Sequence, residues 1–106
     1  MSAGLYRHPV TLQQPVHTVA ADGSAALIYA EAGDDFAAIR PLRQGERQSG
    51  GRLEGVITHE IRLRHRDDLA GGWQVISGAR SFRVLSTFET DGTAREITCL
   101  SEEEDT

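Results

Sequence analysis

Residues 56–66 constrain this chain more than any other segment. Ile57, His59, Ile61, Leu63 and His65 share one parity, and Thr58, Glu60, Arg62, Arg64 and Arg66 share the other. A period of two sustained over that length describes a strand with one face in a core and one in solvent. Antiparallel sheets and barrel walls contain such strands, whereas parallel sheets are covered on both faces. The rest of the chain is read around this strand.

Residues 10–16 give a first strand, with Val10, Leu12 and Gln14 on one parity and Pro15 marking an end or an edge. Asp22-Gly23 is a turn pair. Residues 25–32 show no clean period at Leu27, Ile28 and Tyr29, and are read as an extended element. Gly33-Asp34-Asp35 then breaks the pattern before a strand over 36–42, because Pro41 disfavours a helix there. Residues 73–76 and 81–89 form a hairpin around Ser77-Gly78-Ala79, with Phe82, Val84, Ser86 and Phe88 in one parity. Asp91-Gly92 tolerates the positive φ angles of a type I′ turn and leads into a closing strand over 94–100.

Residues 44–55 stand apart. They hold Gly45, Gly50, Gly51 and Gly55, with Arg47 and Arg52 among them and Arg43 just before. Leu53 is their largest apolar residue, so the segment is expected to be a long loop between strands rather than core. The expected fold is therefore all-β: a small antiparallel barrel of about six strands with a long inter-strand loop and flexible termini. Curling into a barrel covers the edges and the apolar face that a flat sheet would expose. The expected layout is an arm over 1–9, a barrel over 10–100 with the loop at 44–55, and an acidic tail over 101–106.

A chain of 106 residues fits one domain with one modest core. Its net charge of -5 is concentrated in the tail, where Glu102, Glu103, Glu104 and Asp105 cluster. The rest is nearly balanced, so no strongly basic face for nucleic acid is implied. Every basic residue other than histidine is arginine, whose planar fork suits carboxylate, phosphate and interface contacts. The single Cys99 excludes an internal disulfide and a multi-cysteine metal site, and points to a reducing compartment. The first residues lack the apolar run of a signal peptide, and no run is long enough to span a membrane.

No catalytic motif is present: no nucleophile elbow, phosphate loop, dinucleotide fingerprint or zinc helix. His59 and His65 share a face but lie six positions apart on one strand. That is about 20 Å, too far to share a metal. Asp34/Asp35 and Asp67/Asp68 are sequence neighbours, which point to opposite sides of an extended chain. Cys99 reads as a small apolar residue of the last strand rather than a nucleophile. Trp73 anchors either the core or a subunit interface. No enzyme, metal or cofactor is expected.

The order of elements resembles the head–tail adaptor, or head-completion (head closure, stopper), proteins of tailed phages and gene transfer agents. The resemblance rests on four segments. They are Gly4-Leu5-Tyr6-Arg7-His8-Pro9-Val10-Thr11-Leu12-Gln13, the Phe36–Leu42 run ending in Arg-Pro-Leu, the 56–66 strand, and Gly78-Ala79-Arg80-Ser81-Phe82-Arg83-Val84. It implies a structural subunit of a ring between the portal side of the capsid and the tail, located at the head–tail junction of a particle made in host cytoplasm. The partners implied are other copies of the chain, a portal or adaptor ring and a tail-terminator or tail protein. A transient, non-specific contact with double-stranded DNA in the channel is implied as well, and no membrane. Gln44, Arg47, Gly50, Gly51 and Arg52 become the channel-loop candidates. Leu5, Tyr6, Arg7, Arg43, Trp73, Glu102 and Glu103 become the subunit or ring interface candidates. A tail-terminator or tail-tube ring component and a monomeric small-barrel module for nucleic acid or peptide are the alternatives.

Overall fold

The computed structural model describes residues 6–48, 55–92 and 94–104, with residues 43–48 described by their backbone alone. The strands are β1 (His8–Val19), β2 (Ala25–Gln48), β3 (Gly55–Arg64), β4 (Gln74–Ser77), β5 (Arg80–Glu89) and β6 (Glu96–Glu104). They pair antiparallel in the order β1-β2-β3-β6-β5-β4, and β4 returns to β1.

The alternation that opened the reading holds. Ile57, His59, Ile61 and Leu63 are buried, and the intervening residues are not. Ile61 and Leu63 share one core cluster with Leu12 of β1, Val75 of β4, Phe82 and Val84 of β5 and Cys99 of β6, all fully buried. Burying each large apolar side chain stabilises the fold by about 1.5–3 kcal/mol. Trp73 is also core, buried just before β4. Its N–H and C=O lie in a local network in which its C=O accepts from Val84 N–H at 2.9 Å.

The expected small barrel with a long loop and flexible termini needs correction on three points. First, the sheet is not a simple closed cylinder. β4 has four residues against the twelve of β1, so it meets β1 only at Thr11↔Ile76, Leu12↔Val75 and Gln13↔Gln74. Beyond that contact, among the described residues, 14–19 and 25–30 pair only with each other and run on as a two-stranded ribbon. Second, β2 is one strand of 24 residues, where two elements and a loop start were expected. Gly33 does not break it. Its φ of +118° takes up the extra residue opposite Leu12/Gln13, which makes a bulge in a continuous strand. The backbone of 44–48 also belongs to β2, with Arg47 opposite Val56; residues 49–54 of the expected loop lie outside the described residues. Third, Glu102, Glu103 and Glu104 are the end of β6, paired with Arg83, Phe82 and Ser81 of β5. A run of acids reads as a solvated tail, but here β5 supplies the cations that let it join the sheet.

A smaller correction concerns β5. A bulge between Val84 and Ser86 puts both Val84 and Leu85 inside and turns Phe88 outward. The turn before β6 is a single 3₁₀ turn, Thr90–Gly92, with positive φ at Asp91 and Gly92.

Candidate functional site

Among the described residues, three surface regions gather most of the polar and exposed apolar side chains.

The first surrounds the end of β6. Its backbone is clamped between β3 and β5, because the Glu103 N–H donates to Thr58 Oγ1 at 2.8 Å. Arg80 grips the Glu103 carboxylate with two nitrogens, at 2.8 and 3.1 Å. That fork holds the Glu103 pKa below the usual carboxylate range and raises that of Arg80. Arg80 also stacks 5.0 Å over the ring of Phe82 and places Nη2 3.2 Å from His59 Nε2. His59 packs edge-on against Phe82 at 5.0 Å, and its Nδ1 lies 2.9 Å from Thr58 Oγ1. Burial lowers the His59 pKa, Arg80 lowers it further, and Glu103 opposes both. Beside this cluster, Arg83 donates to Glu102 at 3.2 Å and Gln74 donates to Glu104 at 2.7 Å. Gly55 lies directly underneath: a Cβ there would stand 2.7 Å from Glu102 Oε1, so only glycine fits without displacing that carboxylate.

The second region lies at the other end of β6, about 20 Å away by strand rise. There the Tyr6 hydroxyl donates to Glu96, which also faces Arg62 at 3.9 Å. Burial, reinforced by Glu96, raises the Tyr6 pKa. Arg7, His8, Ile39, Arg40 and Arg62 line a neighbouring groove of about 310 Å³, in which Arg40 pairs with Glu60 at 2.9 Å.

The third region is the ribbon and its base. Arg66 ties the base down. It donates to the Ala32 carbonyl at 2.9 Å and to both oxygens of Asp68, and lies 5.7 Å over the Trp73 ring. Above that tie, Val19 is 75% exposed and Leu27 and Ile28 about half exposed. Phe36, at the base, is 56% exposed.

Of the interface candidates, Glu102 and Glu103 are engaged by Arg83 and Arg80 of the same chain, Tyr6 is docked on Glu96, and Arg7 is exposed. Trp73 is in the core, 5% exposed. Leu5, Gly50, Gly51 and Arg52 lie outside the described residues, as do the side chains of Arg43, Gln44 and Arg47. The structure therefore brings none of the channel-loop candidates into a describable cluster. The reading from sequence missed the exposed ribbon residues Val19, Leu27, Ile28 and Phe36. Their signal was present, in apolar residues that occupy both parities of 25–29. Among the described residues, no group of three or more His, Cys, Asp or Glu side chains could hold a metal ion.

Among the described residues, several ion pairs thus join neighbouring strands, and several large apolar side chains remain exposed. Residues 1–104 match the family described as Phage head completion protein, and the chain belongs to that family. Its role is accordingly structural and non-catalytic. Two solved structures share the fold. One is a chain of the virion of a native gene transfer agent particle, 19% identical, covering 94% of each chain with a TM-score of 0.69. The other is protein SF1141 from Shigella flexneri 2a, 17% identical, covering 97% of this chain and 96% of that one with a TM-score of 0.72. None of the curated proteins matches the chain.

Proposed function

We propose that this head-completion protein works as a head–tail connector subunit of a phage-like or gene-transfer-agent-like particle, assembled as a ring between the portal side and the tail. The family match over residues 1–104 carries this reading. The virion chain that shares the fold over 94% of its length supports it. The partners in this reading are further copies of the chain, a portal or adaptor ring on one side and a tail-terminator or tail protein on the other.

The surface chemistry fits that role. Tyr6 and Arg7 mark one end of β6 and Glu102 to Glu104 mark the other, so the two ends offer different chemistry to different neighbours. Passing DNA requires a wall that does not hold it tightly, since each neutralised phosphate adds salt-dependent affinity. Arg40, Arg62, Arg80 and Arg83 already face carboxylates of their own sheet, which limits such a grip. In this reading, residues 44–55 face the channel and the two chain ends contact the adjoining rings.

Microscopy of assembled particles, with the subunit labelled, tests the proposal. Density confined to the head–tail junction is the expected result. Density along the tail tube, or absence from the particle, overturns it.

A further inference from the structure

One buried side chain is held in a single protonation state by its neighbours. The side chain of His59 on β3 is 10% exposed, whereas those of Arg80 and Glu103 beside it are 49% and 33% exposed. Two contacts fix its ring: Phe82 packs edge-on at 5.0 Å, and Nδ1 lies 2.9 Å from Thr58 Oγ1. Among the described residues, the charged groups that act on it are Arg80 from β5 and Glu103 from β6. Its cross-strand partners, Pro41 of β2 and Ser101 of β6, carry no charge.

The donors and acceptors around the ring set its tautomer. A guanidinium has N–H donors and no acceptor. Arg80 Nη2 stands 3.2 Å from His59 Nε2 and 3.1 Å from Glu103 Oε1, so its two hydrogens go one to each. Nε2 must then be the bare, accepting nitrogen, and Nδ1 carries the proton and donates to Thr58 Oγ1. The same oxygen accepts the Glu103 N–H at 2.8 Å. The neutral ring satisfies all of these contacts together, and the Arg80–Glu103 fork is built around it.

A second proton has one place to go. On Nε2 it points at the Arg80 nitrogen, donor against donor and cation against cation. The carboxylate within reach is Glu103, whose Oε1 lies 3.9 Å from Nε2. Glu103 is still ionised at that point, because the Arg80 fork holds its pKa below the usual carboxylate range. The ring is pinned, so the half-exposed Arg80 is the side chain that gives way. It is the first residue of β5 and can swing into solvent without breaking the ladder. We propose that His59 is an acid-operated latch: protonation at Nε2 hands Glu103 from Arg80 to the imidazolium and releases the Arg80 guanidinium to the surface. One proton is taken from solvent and no covalent bond of the chain changes. The Glu103 N–H bond to Thr58 survives in both states, so β6 stays in the sheet. At neutral pH the fork is occupied within its own sheet, and in acid it is open to an outside carboxylate or phosphate. Burial opposes the second proton, which puts the exchange below the ordinary histidine value of about 6.5. The latch belongs to a single subunit and holds with or without the ring.

NMR of the full-length, isotopically labelled chain tests it. The His59 ring carbons and the Arg80 Nε–H are followed from about pH 7.5 to 4.5. Both signals should move with one midpoint, Arg80 ending at the position of a free guanidinium, while Trp73 fluorescence stays native. Arg80→Gln removes the opposing cation and leaves Glu103 to the ring, so the His59 midpoint should rise by about 0.5–1 unit, a size set by the partial exposure of the pair. His59→Gln cannot take the proton, so the Arg80 signal should keep its neutral-pH position throughout. An Arg80 signal that does not follow His59 overturns the proposal, as does a His59 ring that stays neutral until the chain unfolds. A Trp73 change with the same midpoint also overturns it, since acid would then be loosening the whole domain. If His59→Gln does not fold, Arg80→Gln decides alone: a His59 midpoint left unchanged or lowered refutes the exchange.

Discussion

Removing residues 102–106 is a trivial change if the acidic end is a free tail, and a costly one if it is a strand. The truncation deletes the ladder pairs Arg83↔Glu102, Phe82↔Glu103 and Ser81↔Glu104. It also deletes the Glu103 N–H bond to Thr58. Two or three net backbone bonds at about 1 kcal/mol each set the main term. The Arg80–Glu103 and Arg83–Glu102 pairs have side chains a quarter to a half exposed, so screening limits each to about 0.5 kcal/mol. The loss is therefore about 2–4 kcal/mol, against a total stability of roughly 5–15 kcal/mol for a domain of this size. Urea denaturation read by the fluorescence of the buried Trp73 measures it. In the thermal midpoint the same loss appears as a fall of roughly 10–25 °C. Glu102→Gln, Glu103→Gln and Glu104→Gln together remove the charges and keep the ladder. They should cost only about 1 kcal/mol, with a weakened dependence on salt. A truncation within about 0.5 kcal/mol of the parent, a size typical of inconsequential surface changes, would refute the strand account.

Other consequences are smaller in scope. Burial pushes the Cys99 thiol up to about 12, so a maleimide should leave native protein unlabelled and modify it fully in urea; prompt native labelling would show that β6 opens. The His59 pKa is lowered in the fold, so the unfolded chain takes up this proton first. The stability tied to neutral His59 is therefore complete above a pH of about 6.5 and is lost as pH falls from there through the folded value. His59→Gln should flatten the stability profile between about pH 7 and 5, and an unchanged slope would count against the buried, Arg80-facing placement. Ile61 has no exposed surface, so Ile61→Asp puts a carboxylate among Leu12, Phe82 and Cys99 and should cost several kcal/mol, about 3–5 by the usual cost of an unpaired buried charge. An unchanged melting midpoint would mean that β3 presents its other face to the core.

The parts of this fold that were legible in sequence were those with one apolar parity. Residues 56–66 announced β3 because Ile57, Ile61 and Leu63 alternate with charged residues, and local alternation is all that a half-buried strand needs. Asp91-Gly92 announced its turn by the backbone angles it tolerates. What was illegible depended on partners distant in sequence. Glu102 to Glu104 became a strand because Arg80 and Arg83 lie opposite, some twenty positions earlier, and nothing local to the acids records that. Gly33 looked like a break because a bulge and a turn use the same residue type; only the register against Leu12/Gln13 distinguishes them. The absence of a clean period over residues 25–29 was informative in a way that a single-subunit reading could not use. Apolar residues on both parities suit a segment covered on both faces, and among the described residues Val19, Leu27 and Ile28 are left half or more exposed.

This division bears on how such a protein assembles. Arg40, Arg62, Arg80 and Arg83 each face a carboxylate within their own sheet, and Arg66 faces Asp68 in the loop after β3. Recruiting any of these forks to a neighbour means first giving up its present partner, so exchange of ion pairs gains little. Val19, Leu27, Ile28 and Phe36 have no such competitor; water is what they leave. Association that buries these residues should therefore draw its free energy chiefly from apolar contact, with the charged faces setting which approach is tolerated. The signature is a salt response. If apolar burial dominates, raising salt from about 0.1 to 1 M, which shortens the screening length from roughly 10 to 3 Å, should leave the oligomeric fraction measured by sedimentation unchanged or raise it. A steep fall over that range would place the binding energy in the arginine faces and remove the ribbon from the centre of assembly.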